Sequence, residues 1–225
     1  MPASPHFSPA FFKFLRDLKK HNDRAWFQDN RDRYVRDIEA PMLAFIADVG
    51  ERLPKISRHL IADPRRSGGS MYRIYRDTRF SADKTPYKTW AAAHFRLRTP
   101  AKDQPGPGFY LHVGPGERFG GGGIYHPDMP TLTRIRQHIV ANPKRWTAVL
   151  KSGMEIGGDS LSRAPAGFDP AHKFIVDLRR KDFYTGDEYT DKEITSASFI
   201  DTYVDTCERT APLMEFLSAA LGLKW

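Results

Sequence analysis

The strongest constraint on the fold is a change of hydrophobic period along the chain. Apolar residues recur at helical spacing towards both ends and alternate, as in a strand, between about residues 90 and 113. Ser8 as N-cap and Pro9 in the first turn open a run that places Phe11, Phe12, Phe14, Leu15 and Leu18 on one broad face, which predicts an amphipathic helix over 8–20. After the polar break at His21, Asn22 and Asp23, the residues Phe27, Tyr34, Ile38, Met42, Phe45, Val49 and Leu53 follow in steps of 7, 4, 4, 3, 4 and 4, again helical. Pro41 lies inside that series; it removes a backbone donor and crowds the preceding turn, so a kink or two abutting helices are expected.

In the middle section Ala93, Phe95 and Leu97 alternate with His94, Arg96 and Arg98, and Phe109, Leu111 and Val113 alternate with Tyr110 and His112. The Pro- and Gly-rich stretch 100–108 between them suits a long hairpin loop, so the two strands are expected to pair antiparallel. Further on, helices are expected over 129–140, around Trp146 after Asn142 and Pro143, and briefly over 170–180, with a strand over 182–190. A helix or helix pair over 196–221 should be interrupted by Pro212 and stop near Gly222. Strand–helix alternation of the doubly wound kind is absent. The expected fold is therefore α+β: a single domain over 1–225, with a mainly antiparallel central sheet flanked by N-terminal and C-terminal helices.

Composition sets further bounds. Forty per cent hydrophobic residues against 28% charged supply a sizeable core and exclude global disorder. No apolar stretch approaches the roughly 18 residues of a membrane span, and no charged-then-apolar pattern opens the chain, so a cytoplasmic location away from membranes is expected. The lone Cys207 has no disulfide partner and reads as a small buried apolar side chain. Trp26 and Trp146 sit on helical apolar faces and are expected in the core.

Charge is the feature that points to function. The net charge of the chain is +8, yet residues 65–98 hold nine Lys and Arg against Asp77 and Asp83, so almost all of the excess is local. A local surplus of cations implies a local anionic partner. Within this segment Arg73, Tyr75, Arg76, Asp77, Thr78, Arg79, Ser81, Lys84, Tyr87 and Lys88 mix forked and point-charge donors with hydroxyls and aromatic faces, a set suited to phosphate or carboxylate. If extended, the segment points Arg73, Tyr75, Asp77 and Arg79 one way. The competing reading is that Asp77 and Asp83 pair with neighbouring cations and pin an irregular loop.

The run Arg-x-Tyr-Arg-Asp-Thr-Arg-Phe-Ser-x-Asp-Lys-Thr-Pro-Tyr-Lys from Arg73 to Lys88, with the Gly121–Gly123 run downstream, resembles the family called domain of unknown function 2461. The resemblance extends from about residue 7, through Asn22 to Phe27 and Tyr34, to the C-terminal helix. It implies one domain and brings no reaction, cofactor or ligand with it.

Other groups are weighed beside that motif. Gly120 to Gly123 lacks the Gly-Lys-Ser or Gly-Lys-Thr of a phosphate loop and is expected to form a turn or bulge; the alternative is that Gly121, Gly122 and Gly123 let a ligand approach the backbone. His94 and His112 fall on the polar phase of their strands, where a proton donor or acceptor would extend the anion site. Asp77 and Asp83 are the other catalytic candidates, although flanking cations favour ion pairing over proton transfer. His94, His112, His126 and Asp128 show no metal-ligand spacing, and neither a metal nor a cofactor is expected. The leading expectation is a pocket for a small anionic, phosphate-bearing ligand, with a phosphorylated metabolite or nucleotide as candidate substrate. The alternatives are a nucleic-acid binder, using Tyr75, Tyr87 and Trp90 as stacking faces, and an interaction protein whose basic loop docks an acidic partner.

Overall fold

In the computed structural model, residues 4–99 and 106–225 are described. Helix α1 (Pro9–Lys20) forms where the apolar face required it, with Ser8 at the N-cap position but without a capping side-chain bond. Asp23 caps α2 (Arg24–Asp29) by accepting from the Trp26 N–H, and α3 (Arg31–Tyr34) follows after Asn30. The discontinuity expected at Pro41 takes the form of a π-helical turn, Val35–Glu39, directly before α4 (Ala40–Arg52). There the Ala40 N–H reaches back to the Val35 carbonyl, which widens the helix just where Pro41 has no N–H to give.

The sheet is a five-stranded meander. Strands β1 (Leu60–Ile61), β2 (Ala91–Leu97), β3 (Gly108–Val113), β4 (Arg118–Ile124) and β5 (Phe183–Glu188) lie in sequence order, each antiparallel to the next. The β2–β3 pairing sets Ala93 opposite Leu111 and His94 opposite Tyr110, as the alternation required. Most of the connecting hairpin loop falls on 100–105, outside the described residues; the Leu97 N–H donates to the Pro107 carbonyl at its base.

Between β4 and β5 the chain forms α5 (Met129–Ala141), α6 (Pro143–Leu150) and the short α7 (Ile175–Leu178); after β5 come α8 (Asp191–Ile194) and α9 (Phe199–Ala220). The expected break at Pro212 is corrected: α9 runs unbroken for 22 residues with Pro212 inside it. Proline removes one backbone donor; buried Leu213, Met214 and Leu217 on the following turns pin the helix to the core.

The core lies on one face of the sheet. Ala91, Ala93, Phe95, Phe109, Leu111 and Val113 pack with α1, α4 and the first half of α9, while Leu97, Ile124 and Phe183 pack with α5, α6 and its second half. Trp146 is fully buried, with its Nε1–H donating to Asp177 at 2.9 Å, and Trp26 is half-buried at the margin of the first cluster. Cys207 is buried in α9, and burial pushes its thiol well above the ordinary range. Among the described residues no helix is long and apolar enough to cross a membrane. Helices at both ends and an antiparallel sheet make this a single α+β domain.

Candidate functional site

The basic segment is built off the edge of β2. Ser70 to Tyr72 run beside that strand, with the His94 N–H donating to the Ser70 carbonyl and the Tyr72 N–H to the Ala92 carbonyl. The chain then leaves the sheet and returns as a hairpin-like excursion over 74–88. Lys88 N–H donates to the Ile74 carbonyl at 2.8 Å and Arg76 N–H to the Pro86 carbonyl at 2.9 Å, setting Tyr75 opposite Tyr87.

Its anchor comes from the N-terminal helices. The Asn22 side chain donates to the Tyr87 carbonyl at 2.9 Å and accepts from the Tyr87 N–H at 3.0 Å, a side-chain imitation of strand pairing. The Tyr87 ring stacks on Phe27 with centroids 4.1 Å apart. Asn22 was legible only as part of the polar break between two helices, since nothing in the sequence ties it to residue 87.

Beyond Arg76 the extended reading fails, because the chain turns twice. Asp77 accepts from the Arg79 N–H at 3.3 Å and from its guanidinium at 3.0 and 2.7 Å, which folds Arg79 back instead of aligning it with Arg73 and Tyr75. Asp83 accepts from the Thr85 N–H and from Arg76, whose guanidinium also reaches the Thr85 hydroxyl. Lys84 donates to the Thr78 carbonyl, as does the Ser81 N–H, which closes the tip. Ionic pairing within the loop, the competing expectation, thus describes Arg76 and Arg79.

The electrostatics follow from these contacts. The guanidinium of Arg79 holds the Asp77 carboxyl down at about 2, and the Thr85 N–H together with Arg76 does the same for Asp83. Both are ionised at any physiological pH, so neither is poised to exchange a proton.

Two clefts open beside the excursion, of about 510 and 440 Å³, and both include Arg76 and Tyr87 in their walls. The larger adds Lys19, Asn22, Asp77, Asp83, Lys88 and Trp90; the smaller adds Arg24, Gln28, Tyr75 and Thr78. Lys19, Arg24 and Gln28, on α1 and α2, carry no signal of this role in the sequence because they lie some fifty residues before the motif.

Lys88 is the distinctive side chain of the larger cleft. Its ammonium donates to the Arg73 carbonyl at 2.8 Å and lies 4.9 Å from the Trp90 ring centre and 5.3 Å from that of Tyr72. Among the described residues no carboxylate pairs with it. Burial, with a smaller push from Arg73, lowers its pKa. Arg73 itself is exposed, and Phe80 at the loop tip is 95% exposed with the Arg79 guanidinium over its ring.

His94 and His112 do share a sheet face, opposite Tyr110 and Ala92 respectively, but neither lines the larger cleft; Tyr72 and Trp90 stand between them and Lys88. Burial, with Arg96 adding to it, lowers His94 to about 4. Burial also lowers His112, against a small opposing pull from Glu117. Both rings are neutral near pH 7.

The turn expected at Gly120 to Gly123 is corrected: the run is the interior of β4, paired on both sides. A β-carbon at Gly120 would stand 2.9 Å from Tyr203 and Tyr189, and one at Gly122 2.8 Å from Phe109, so these glycines admit the rings packed under α9. Gly121, Gly122 and Gly123 lie two strands from β2, roughly 10 Å away. Among the described residues no three His, Cys, Asp or Glu side chains converge as metal ligands.

A one-sided antiparallel sheet whose edge carries a cationic hairpin, pinned by an asparagine from the N-terminal helices, defines the class of molecule. The chain belongs to the family described as conserved hypothetical protein (DUF2461), whose model matches residues 10–216. No match was found among curated proteins or among solved structures.

Proposed function

We propose that the larger cleft binds a small anionic, phosphate-bearing ligand. The observation that carries this reading is Lys88, a half-buried ammonium in the cleft wall with no carboxylate partner among the described residues. A lysine ammonium has three donors; one is used on the Arg73 carbonyl, and two remain. Trp90 and Tyr72 fix the charge in place through ring contacts, and a partly desolvated cation gains more from an incoming anion than one in open water. Arg76, 25% exposed in its side chain and oriented by Asp83, supplies a second charge at the same wall. Asp77 and Asp83 in the cleft wall stay ionised, and the reading is binding and assigns no reaction.

The test is calorimetric titration with phosphomonoesters. Lys88→Met is expected to weaken binding roughly tenfold or more, the scale of one charge-assisted hydrogen bond; Lys144→Ala, which removes an exposed cation on α6 away from both clefts, should change it little. Unchanged affinity in a folded Lys88→Met variant would refute the assignment.

A second reading, contact with single-stranded nucleic acid, is favoured by exposed Phe80 beside Arg79 and by Tyr75, 48% exposed. Tyr87, expected to stack on a base, is instead buried against Phe27. Under this reading log affinity should fall with log salt by about 0.7 per phosphate contacted, and Phe80→Ala should weaken binding; a flat salt response rejects it.

A further inference from the structure

We infer that the ligand of the larger cleft is a polyol phosphate, meaning a small, hydroxyl-rich molecule with one phosphomonoester, such as a phosphorylated sugar. The inference rests on the reading of that cleft as a phosphate site and asks what the rest of the ligand must be.

Charge comes first. Lys19, Arg76 and Lys88 line the cleft together with Asp77 and Asp83, Arg76 being paired with Asp83, a net lining charge of +1. Both carboxylates are held ionised down to about pH 2 by their hydrogen bonds. A polyphosphate, or a backbone of several phosphates, would set much of its charge against them, whereas one phosphomonoester placed at Lys88 need not.

The carboxylates also define what they will accept. An ionised carboxylate is acceptor-only, with about four lone-pair positions. Asp77 uses some on Arg79, and Asp83 some on Arg76 and Thr85, yet their side chains remain 45% and 57% exposed. Their arginine partners fix them in orientation, so the spare positions are preorganised acceptors. The donors that satisfy them without bringing charge are hydroxyl groups.

A nucleobase is disfavoured on separate grounds, because the cleft offers no free aromatic face. Tyr87 is stacked on Phe27, and Trp90 has Lys88 4.9 Å and the His112 ring 4.8 Å from its centre. What remains is an ammonium without a carboxylate partner for the phosphate and two oriented carboxylates for hydroxyls, within about 510 Å³, a volume typical of small-molecule sites.

The experiment titrates the full chain, at near-neutral pH and fixed ionic strength, with inorganic phosphate, glucose 6-phosphate, glucose and metal-free ATP. Glucose 6-phosphate should bind roughly tenfold or more tighter than phosphate, from one or two hydrogen bonds to charged acceptors. Glucose should not bind measurably, and ATP should bind no tighter than phosphate. Asp77→Asn and Asp83→Asn, each checked for an unchanged circular dichroism spectrum, should bring the sugar phosphate down to the phosphate level; Asp77 leaves the Arg76 pair intact, so the two variants are independent. Equal affinity for phosphate and sugar phosphate, a gain that survives both variants, or tighter ATP binding would overturn the inference while leaving the phosphate reading in place. Absence of binding by every phosphate compound would overturn both.

Discussion

Single residues decide whether the basic loop is a defined site or a tether. Asn22 satisfies both backbone groups of Tyr87, and leaving part-buried backbone groups unpaired is costly. Asn22→Ala should lower stability by about 2 kcal/mol in urea unfolding and should weaken ligand binding in parallel, since the cleft wall loses its anchor. His94 gives a pH signature. Its folded pKa, about 4, lies below the 6.5 of the free side chain, so as pH falls the unfolded chain takes up the proton first. The associated stability is complete above about pH 6.5 and is lost progressively towards pH 4, on the order of 3 kcal/mol at most. His94→Gln should flatten that part of the profile relative to the parent chain; parallel profiles would contradict the neutral, half-buried imidazole. Asp77 and Asp83 behave differently. Their depressed pKa values confer stability above about pH 4 that fades only as pH falls towards 2, so Asp77→Asn should lower the curve by a constant amount above that window without changing its shape there.

At the scale of elements, the helices, strands and pairing were legible wherever a single period ran long enough, as in α1, β2, β3 and α5. The sequence misled where a local rule met a tertiary demand. Consecutive glycines at 120–123 signal a turn by propensity, yet they form a central strand because the rings of Phe109 and Tyr203 occupy the space of the missing side chains. Gly120→Ala tests this: its methyl would meet Tyr203, which is fully buried, and overpacking of this kind costs about 1–3 kcal/mol, to be read as a lowered Tm. Pro212 misled in the opposite sense, since burial on both sides carries the helix through it. The motif was legible as a cationic segment, but its shape was not: the Asp77 and Asp83 turns are local, whereas Asn22 and Lys19 reach it only through the fold.

Across the whole molecule, α9 is the common element, because Tyr203 and Cys207 belong to one core cluster and Leu213, Phe216 and Leu217 to the other. The two halves are therefore expected to unfold together. Fluorescence of variants that keep Trp26 alone or Trp146 alone of the four tryptophans, and far-UV circular dichroism, should give coincident transitions; separate midpoints would show that the clusters melt independently. The position of α9 in chain order has a consequence for biosynthesis. All five strands leave the ribosome before α9, so in a nascent chain the part of the sheet that this helix covers stays open to solvent until 199–220 has emerged. Chains stalled with the strands emerged but 199–220 still inside the exit tunnel should therefore bind chaperones and aggregate far more than chains extended by a linker that lets 199–220 emerge.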